Sequence, residues 1–179
     1  MKKPSVTELL KLLDKPQLLK WANKIGLEGV SLEDYRNKST GDGISIHSQI
    51  EHFQKSGTPF TDIEAGERYH FLMKDKKVLK FEHKLEGELF QGRMDTQIEY
   101  MGKIYNCDFK SSNGIYLENI LQLTAYKMIE PCDFIAVIKV PEMIFKPIYS
   151  IQDFIPYENI LRALTSIYNN KLKINQNGY

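Results

Sequence analysis

The sequence predicts an α/β domain, and three observations predict it. Residues 78–86 alternate between apolar and polar side chains, and residues 96–100 and 103–107 form two further strand-like stretches. Amphipathic helical patterns lie on both sides of these strands. A nearly continuous apolar run at residues 134–140 then has the character of a strand covered on both faces. Strand, helix and strand in succession predict a right-handed parallel crossover in a mixed central sheet.

The composition is that of a globular protein with a single core. The chain has 179 residues with 24 basic and 23 acidic side chains, so any nucleic acid must be attracted by a local charge. Two cysteines, Cys107 and Cys132, permit one disulfide at most, and neither lies in a metal-ligand cluster. No apolar run approaches the ~20 residues of a membrane span, and the N-terminus is not a signal peptide. We therefore expect a cytoplasmic protein without a membrane partner.

Helical patterns fill the first part of the chain. A capping box at Ser5 and Glu8 begins the first helix, and a second helix ends at Gly26. A short third helix begins at Ser31. We expect these helices to pack beside the sheet and to form one wall of a channel.

Two helices precede the strands. The first covers about residues 44–54 and places His47 and Glu51 four residues apart, on one helix face. Either side chain could simply be exposed to solvent, which is the usual situation of an isolated polar residue on a helix. The second helix covers about residues 62–74.

The central pair of strands forms a hairpin that turns at Met101 and Gly102. Glycine in the second loop position suits a two-residue turn that needs positive φ. Counting outward from this turn places Asp95 opposite Asp108, with Cβ atoms about 4.5–5.5 Å apart on one face. Lys110 lies two residues beyond Asp108 and shares that face.

The alternation in these strands predicts a sheet with one apolar face and one charged face. The charged face carries Asp95, Asp108 and Lys110, and Glu82 lies there opposite Arg93. Glu82 is therefore a candidate third carboxylate, Glu86 is its rival, and a plain Glu82–Arg93 ion pair is the alternative. The residues expected on the apolar face are Leu79, Phe81, His83, Leu85, Phe90, Met94, Tyr105, Cys107 and Phe109.

The helix after the strands and the C-terminal elements complete the domain. Residues 116–129 predict a helix on which Gln122 and Tyr126 share one face, and the alternative is that Tyr126 packs in the core with its hydroxyl satisfied. A short edge strand is expected at 143–149, followed by a closing helix that begins near residue 153 or 156.

The opposed aspartates predict a hydrolytic metal centre. Two carboxylates held so close repel each other unless a cation lies between them. Oxygen ligands without thiolates suit Mg²⁺ or Mn²⁺. A lysine beside a metal-bound carboxylate, such as Lys110, can orient a water molecule and stabilise negative charge at a phosphorus. The alternative is a solvated strand face whose charges have no chemical role.

Four motifs in a fixed order carry a resemblance to a known family. They are Gly43-x-x-x-His47-x-x-Ile50-Glu51, Gly92-x-x-Asp95, Asp108-Phe109-Lys110 and Gln122-x-x-x-Tyr126. Together they resemble the PD-(D/E)XK nuclease superfamily, and within it the RecB-like exonuclease branch with its phage-type and mitochondrial genome maintenance relatives. The likeness covers roughly residues 41–140.

The resemblance implies a fold and an activity. The fold is a restriction-endonuclease-like core (αβββαβ) at residues 41–140, within a single domain of residues 1–179. Residues 1–40 are then a helical extension, and residues 141–179 supply an edge strand and a closing helix. The implied activity is a Mg²⁺- or Mn²⁺-dependent DNA exonuclease that acts on single strands or DNA ends in replication, recombination or repair. A bacterial or phage-infected cytosol is the implied compartment.

The resemblance also implies roles for individual residues. The implied ligands of one or two Mg²⁺ or Mn²⁺ ions are His47, Asp95, Asp108 and the backbone carbonyl of Phe109. Lys110 would position the water, with Glu82 as a further catalytic carboxylate. The implied contacts to DNA are Gln122, Tyr126, Ser111, Ser112 and Arg93. Some relatives hold an iron–sulfur cluster with four cysteines, which this chain cannot do alone.

Three other activities remain open on the same residues. A structure-specific or restriction-type endonuclease would use the same chemistry. A DNA-binding module could keep the fold without cutting. An RNase is the third possibility, since no residue in the sequence is identified as reading a 2′-hydroxyl.

Overall fold

A computed structural model of the protein describes residues 3–13, 22–24, 26–29, 31, 46–112 and 114–176. The elements in chain order are α1 (Val6–Leu10), α2 (Ile46–Ser56), α3 (Ile63–Met73), β1 (Lys77–Glu86), β2 (Gln91–Tyr100), β3 (Lys103–Lys110), α4 (Leu117–Ile129), β4 (Phe134–Lys139), β5 (Ile144–Pro147) and α5 (Ile155–Gln176). The third helix predicted from Ser31 and the motif glycine Gly43 lie outside the described residues, apart from Ser31 itself.

The five strands form one mixed sheet in the order β1-β2-β3-β4-β5. Strands β3 and β4 are parallel and are joined through α4, whereas the other neighbours are antiparallel. The prediction of a mixed α/β domain is confirmed. Within the described ranges, every helix is too short or too polar to cross a bilayer.

Both faces of the sheet are buried, so the prediction of one charged face is wrong. Strand β4 alternates between two core clusters, with Ile135 and Val137 in the first and Ala136 and Ile138 in the second. Helices α1, α4 and α5 supply the first cluster, and α2 and α3 supply the second. The helical layers cover the sheet on both sides, so polar side chains such as Asn106 and Asp108 face protein rather than water, whereas Lys84 and Arg93 remain exposed.

Strands β1 and β2 change face in their middle. Phe81 packs against the second cluster and Leu85 lies in the first, although four residues of regular strand would keep them on one face. On β2, Met94 lies in the first cluster and Ile98 lies in the second, although they are also four residues apart. Glu82, with a φ of 46°, lies between the first pair. The predicted apolar face is wrong for this reason, because a local irregularity reverses the alternation.

The hairpin at Met101 and Gly102 is confirmed. Both residues have positive φ, 51° and 70°, and β2 pairs with β3 in the predicted register. The last pair of this ladder is Thr96 with Cys107, so the two strands part just before Asp95. This parting opens the sheet at the position where the two aspartates lie.

The register between β1 and β2 differs from the prediction. Glu86 pairs with Gln91, so Arg93 lies opposite Lys84 and not opposite Glu82. The loop between the strands holds residues 87–90, whereas Glu82 opposite Arg93 would require a two-residue turn at Gly87 and Glu88. The longer loop shifts the pairs from Glu86 to Lys80 by two residues, and an irregularity between Lys80 and Val78 reduces the shift to one residue at the start of β1.

The N-terminal segment is fixed to the start of β2. Ser5 forms an isolated parallel bridge with Gln91. The backbone amide of Gln91 donates a hydrogen bond of 3.0 Å to the carbonyl oxygen of Pro4. The capping box of Ser5 and Glu8 is confirmed, and α1 packs into the first cluster. The predicted end of the second helix at Gly26 is wrong, since residues 26–27 remain helical and Gly29 follows with a φ of 74°.

Candidate functional site

Asp95 is held where β2 leaves β3. Its Oδ2 accepts a hydrogen bond of 2.8 Å from the backbone amide of Phe109, an amide that lies beyond the end of the β2–β3 ladder. The same oxygen lies 3.3 Å from Nε2 of His47 on α2. This hydrogen bond with Asp95 raises the pKa of His47, in opposition to burial, which lowers it. Asp95 therefore ties the end of the sheet to helix α2.

Asp108 is a buried carboxyl group beside Asp95. Its side chain is 2% exposed, and it lies on the face of the sheet that α4 covers, since it pairs with Val137 of the first cluster. Burial raises the pKa of Asp108 to about 7, and the neighbouring Asp95 carboxylate contributes to this rise. The two carboxyl groups are neighbours as predicted, but the predicted solvated surroundings of Asp108 are wrong because α4 excludes water.

Lys110 lies between Asp108 and Gln122. Its Nζ is 2.5 Å from Oδ2 of Asp108 and donates a hydrogen bond of 3.0 Å to Oε1 of Gln122. Nε2 of Gln122 donates to Oδ1 of Asp108 at 2.9 Å and to the hydroxyl of Tyr126 at 2.8 Å. The ammonium, the carboxylate and the amide thus form a closed network between β3 and α4.

A second group of polar side chains adjoins Asp95 on the α2 side. His47, Glu51 and Glu82 each offer one ligand atom, and these atoms lie within 4.8 Å of one another. Glu51 was not predicted to be a metal ligand. The sequence signal for it is its spacing of four residues from His47, which places both side chains on one face of α2. Glu86, the rival of Glu82, is exposed on the rim of the neighbouring cleft.

Each of the four carboxylates has a basic partner from the chain, and the partner of Asp95 is a histidine, which is charged only when it is protonated. The pairs are Asp95 with His47, Asp108 with Lys110, Glu51 with Lys55, and Glu82 with Arg93. The ion pair of Glu82 and Arg93, left open as an alternative in the sequence, is therefore present, with a distance of 3.0 Å. The protein itself offsets the repulsion among these carboxylates, and a metal ion would have to compete with these partners.

The residues nevertheless fit a divalent cation. Oδ2 of Asp108 is buried and has no hydrogen-bond partner among the described residues, and its contact with Lys110 is an ion pair without hydrogen-bond geometry. Carboxylate oxygens from Asp95 and Asp108 with an imidazole nitrogen from His47 are ligands that Mg²⁺ and Mn²⁺ accept. The ring of Phe109 packs in the second cluster, and the role of its carbonyl oxygen stays a prediction.

A polar cleft of about 610 Å³ opens beside Asp95. Its walls are the start of α1, the end of β1, the start of β2 and α4. The lining residues are Ser5, Val6, Thr7, Lys84, Leu85, Glu86, Gln91, Gly92, Arg93, Asp95, Gln122 and Tyr126. The sequence indicated a channel wall in the N-terminal helices but did not identify Ser5, Thr7 or Lys84, because the bridge to Gln91 that places them has no sequence signature.

The other residues predicted to contact DNA differ in their exposure to solvent. Arg93 is 54% exposed at the cleft. Ser111 is exposed, and the hydroxyl of Ser112 donates to the carbonyl oxygen of Gly114 at 2.9 Å. Tyr126 is buried, with only 3% of its surface exposed. Its burial gives it little surface for direct contact with a large ligand.

Comparisons with known proteins leave the chain without a family. No protein-family model matches it, and no curated protein matches it. One matching solved structure is the crystal structure of SSO0001, with 15% sequence identity over 92% of this chain and 73% of that chain, at a TM-score of 0.41. A likeness this distant carries no argument about the site.

Proposed function

We propose that the protein is a metal-dependent nuclease that hydrolyses phosphodiester bonds in DNA. The observation that carries the proposal is the meeting of Asp95, Asp108 and Lys110 at the open end of the β2–β3 hairpin, beside a polar cleft. The motif resemblance to RecB-like nucleases gives the same three residues the central roles.

The arrangement of elements supports this assignment. Two helices, three antiparallel strands, a helix and a parallel strand follow one another from α2 to β4, and this succession contains the αβββαβ order of a restriction-endonuclease-like core. Asp95 and Asp108 are neighbours just beyond the last pair of the β2–β3 ladder, although both faces of the sheet are covered. We therefore propose that residues 41–140 form this core.

Each polar residue has a physical role in the proposed reaction. Asp95, Asp108 and His47 would hold one or two Mg²⁺ or Mn²⁺ ions, with the Phe109 carbonyl and Glu82 as further candidates. The bound ion would supply Lewis-acid stabilisation of the charge at the phosphorus. Lys110 is held by Asp108 and Gln122, so its ammonium can orient a water molecule and stabilise the same charge.

The cleft favours a single nucleic acid strand as the substrate. A volume of about 610 Å³ is within the range of ordinary ligand sites. A duplex carries two paired strands and would need a larger opening than a single strand. Lys84 and Arg93 on its lining can contact phosphates, and Ser5 and Thr7 supply hydroxyl groups. Glu86 opposes an anion there, so phosphate binding depends on the two basic side chains.

The test is digestion of end-labelled DNA with and without Mn²⁺. Linear and circular single strands, linear duplex and an RNA of matching sequence are each incubated with the wild-type protein and with Asp108→Asn. We expect Mn²⁺-dependent loss of linear single-stranded DNA by the wild type alone. Circular strands that survive identify an exonuclease, and circular strands that are nicked identify an endonuclease.

Other outcomes identify the alternatives. Cutting of RNA in preference to DNA identifies an RNase. If no substrate is cut with either Mg²⁺ or Mn²⁺ while single-stranded DNA still binds to wild type and Asp108→Asn alike, the protein is a binding module and the proposed activity is wrong.

A further inference from the structure

We propose that Gln122 and Tyr126 are positioning residues, which hold Asp108 and Lys110 in their working geometry instead of gripping the nucleic acid. The inference rests on the proposed nuclease function and deepens it. It also departs from what the motif resemblance implied for these two residues, which was a direct contact with the strand.

The amide of Gln122 is fully engaged inside the protein. A glutamine side chain has two N–H donors and one carbonyl acceptor. Both donors are in use, one to Oδ1 of Asp108 at 2.9 Å and the other to the hydroxyl of Tyr126 at 2.8 Å. The carbonyl oxygen accepts from Nζ of Lys110 at 3.0 Å. A phosphate could bind this amide only by displacing one of these partners.

Lys110 and Asp108 fix which way the amide of Gln122 points. Turning the amide by 180° would set its N–H groups against the ammonium of Lys110 and its oxygen against the carboxylate of Asp108, so only one orientation satisfies both partners. The hydroxyl of Tyr126 can donate or accept, so it does not select the orientation, but it binds the second N–H and holds the amide in place. The ring itself is packed on β2, since a Cβ at Gly92 would lie 2.8 Å from its Cε1 atom.

The consequence concerns where the charge of Lys110 is held. Its ammonium is shared between the Asp108 carboxylate and the Gln122 carbonyl. Without the carbonyl, the ammonium has a single strong partner left and pairs fully with Asp108. The lysine would then neutralise a metal-binding carboxylate and would no longer be held between Asp108 and Gln122. Loss of Gln122 should therefore weaken both ion binding and turnover, while the affinity for a strand is unchanged.

A second glutamine–tyrosine pair in the chain provides a matched control. Nε2 of Gln54 donates to the hydroxyl of Tyr69 at 2.7 Å, and Tyr69 is also buried. This pair joins α2 to α3 in the second cluster, away from Asp108. Tyr69→Phe removes the same hydrogen bond as Tyr126→Phe at the same depth, but it touches no residue of the proposed site.

The experiment compares Tyr126→Phe, Gln122→Ala and Tyr69→Phe with the wild type. Four quantities are measured: kcat and KM on a labelled single-stranded oligonucleotide with Mn²⁺, the Kd of that oligonucleotide in Ca²⁺, and the Kd of Mn²⁺ without DNA. We expect kcat to fall about 100-fold for Gln122→Ala and about 10-fold for Tyr126→Phe, because small displacements at a reacting centre have effects of this size. The Mn²⁺ Kd should rise about 10-fold for Gln122→Ala, as for other residues that orient metal ligands.

The same measurements can overturn the inference. In both site variants the oligonucleotide Kd and KM should stay at wild-type values, and Tyr69→Phe should change nothing. A rise in KM and oligonucleotide Kd with kcat unchanged would mean that the two residues grip the strand. If Gln122→Ala does not fold, Tyr126→Phe decides between positioning and strand binding, because it keeps the packed ring and removes only the hydroxyl.

Failure of the proposed function is distinguishable from failure of the inference. A wild-type protein that cuts nothing overturns the nuclease proposal. In that event a weaker Mn²⁺ affinity in Gln122→Ala, with the oligonucleotide Kd unchanged, still supports a positioning role. An unchanged Mn²⁺ affinity in that variant contradicts it.

Discussion

The candidate site has two halves that hold their carboxylates in different ways. The buried half consists of Asp108, Lys110, Gln122 and Tyr126, and hydrogen bonds through a neutral amide fix its geometry. The open half consists of His47, Glu51 and Glu82. Its two glutamates pair with Lys55 and Arg93, both more than half exposed, although the side chain of Glu82 itself is only 6% exposed. Exposed ion pairs contribute little and exchange readily, whereas buried networks specify one arrangement. From this difference we propose that the buried half fixes the geometry of the proposed reaction and that the open half exchanges ligands.

Among substitutions in the two halves, Asp108→Asn should reduce the activity most. The substitution keeps the shape of the side chain but removes the charge of the most buried carboxylate. We expect kcat on single-stranded DNA to fall by at least about 10³-fold, since a ligand and a partner of Lys110 are lost together. Circular dichroism and the unfolding midpoint of the metal-free protein are the controls. If Asp108→Asn unfolds the chain, the carboxylate is structural and the comparison fails.

Lys110→Met should be nearly as damaging. The methionine keeps most of the aliphatic chain and removes the ammonium that Asp108 and Gln122 hold. We expect a loss in kcat of about 10²–10³-fold with little change in the oligonucleotide Kd, because the charge acts in the transition state. Lys80 lies on β1 and forms an ion pair with Glu130, and Lys80→Met is the matched control. Equal losses in the two variants would contradict a special role for Lys110.

The stability of the metal-free protein should depend on pH through Asp108. The pKa of Asp108 is raised to about 7, above its value in the unfolded chain, so the folded state binds the proton more tightly. The contribution of Asp108 to the free energy of unfolding should therefore be highest below about pH 4. It should fall as the pH rises to about 7. The raised pKa of His47 acts in the same direction. Urea titrations with EDTA measure the slope, which Asp108→Asn should reduce; an unchanged slope contradicts the burial argument.

His47→Ala should have an intermediate effect, since it removes one ligand from the open half. His47 contacts Asp95 and remains partly exposed, so the site can recruit water in its place. We expect Mn²⁺ affinity to fall about 10–100-fold, the range for residues that support a metal site. His52 is exposed on the same helix, and His52→Ala should leave the affinity unchanged. Equal effects of the two substitutions would remove His47 from the site.

Glu51→Gln should have the smallest effect. Glu51 pairs with Lys55 on its own helix, and exposed pairs of this kind contribute only a few tenths of a kcal/mol. We expect Mn²⁺ affinity and kcat to change by no more than about 3-fold. A loss as large as that of His47→Ala would show that the open half binds an ion of its own, through His47, Glu51 and Glu82.

Local turn chemistry allowed part of the site to be predicted from the sequence. The hairpin at Met101 and Gly102 fixes the register of β2 on β3, and the register brings Asp95 next to Asp108. The prediction succeeded because a two-residue turn leaves no freedom in the pairing. The order of helices and strands was predictable for a similar reason, since each has its own hydrophobic period.

The burial of the site was not predictable in this way. The alternation in β1 suggested a solvated charged face, but the change of face near Glu82 and Asp95 depends on a backbone irregularity that periodicity does not reveal. The partners of Asp108 come from α4, and those of Asp95 come from α2, so both depend on how helices pack on the finished sheet. Tertiary contacts of this kind decide whether a carboxylate is exposed or buried.

The most direct test of the central claim is the binding of Mn²⁺ to the DNA-free protein, measured by isothermal titration calorimetry. Wild type is compared with Asp95→Asn, Asp108→Asn and Glu86→Gln, the last being an exposed carboxylate of the same sheet. We predict that wild type and Glu86→Gln bind Mn²⁺ with the same affinity, and that both aspartate variants, still folded, lose this binding. Mn²⁺ affinity unchanged in Asp95→Asn and Asp108→Asn would contradict a shared ion between the two carboxylates.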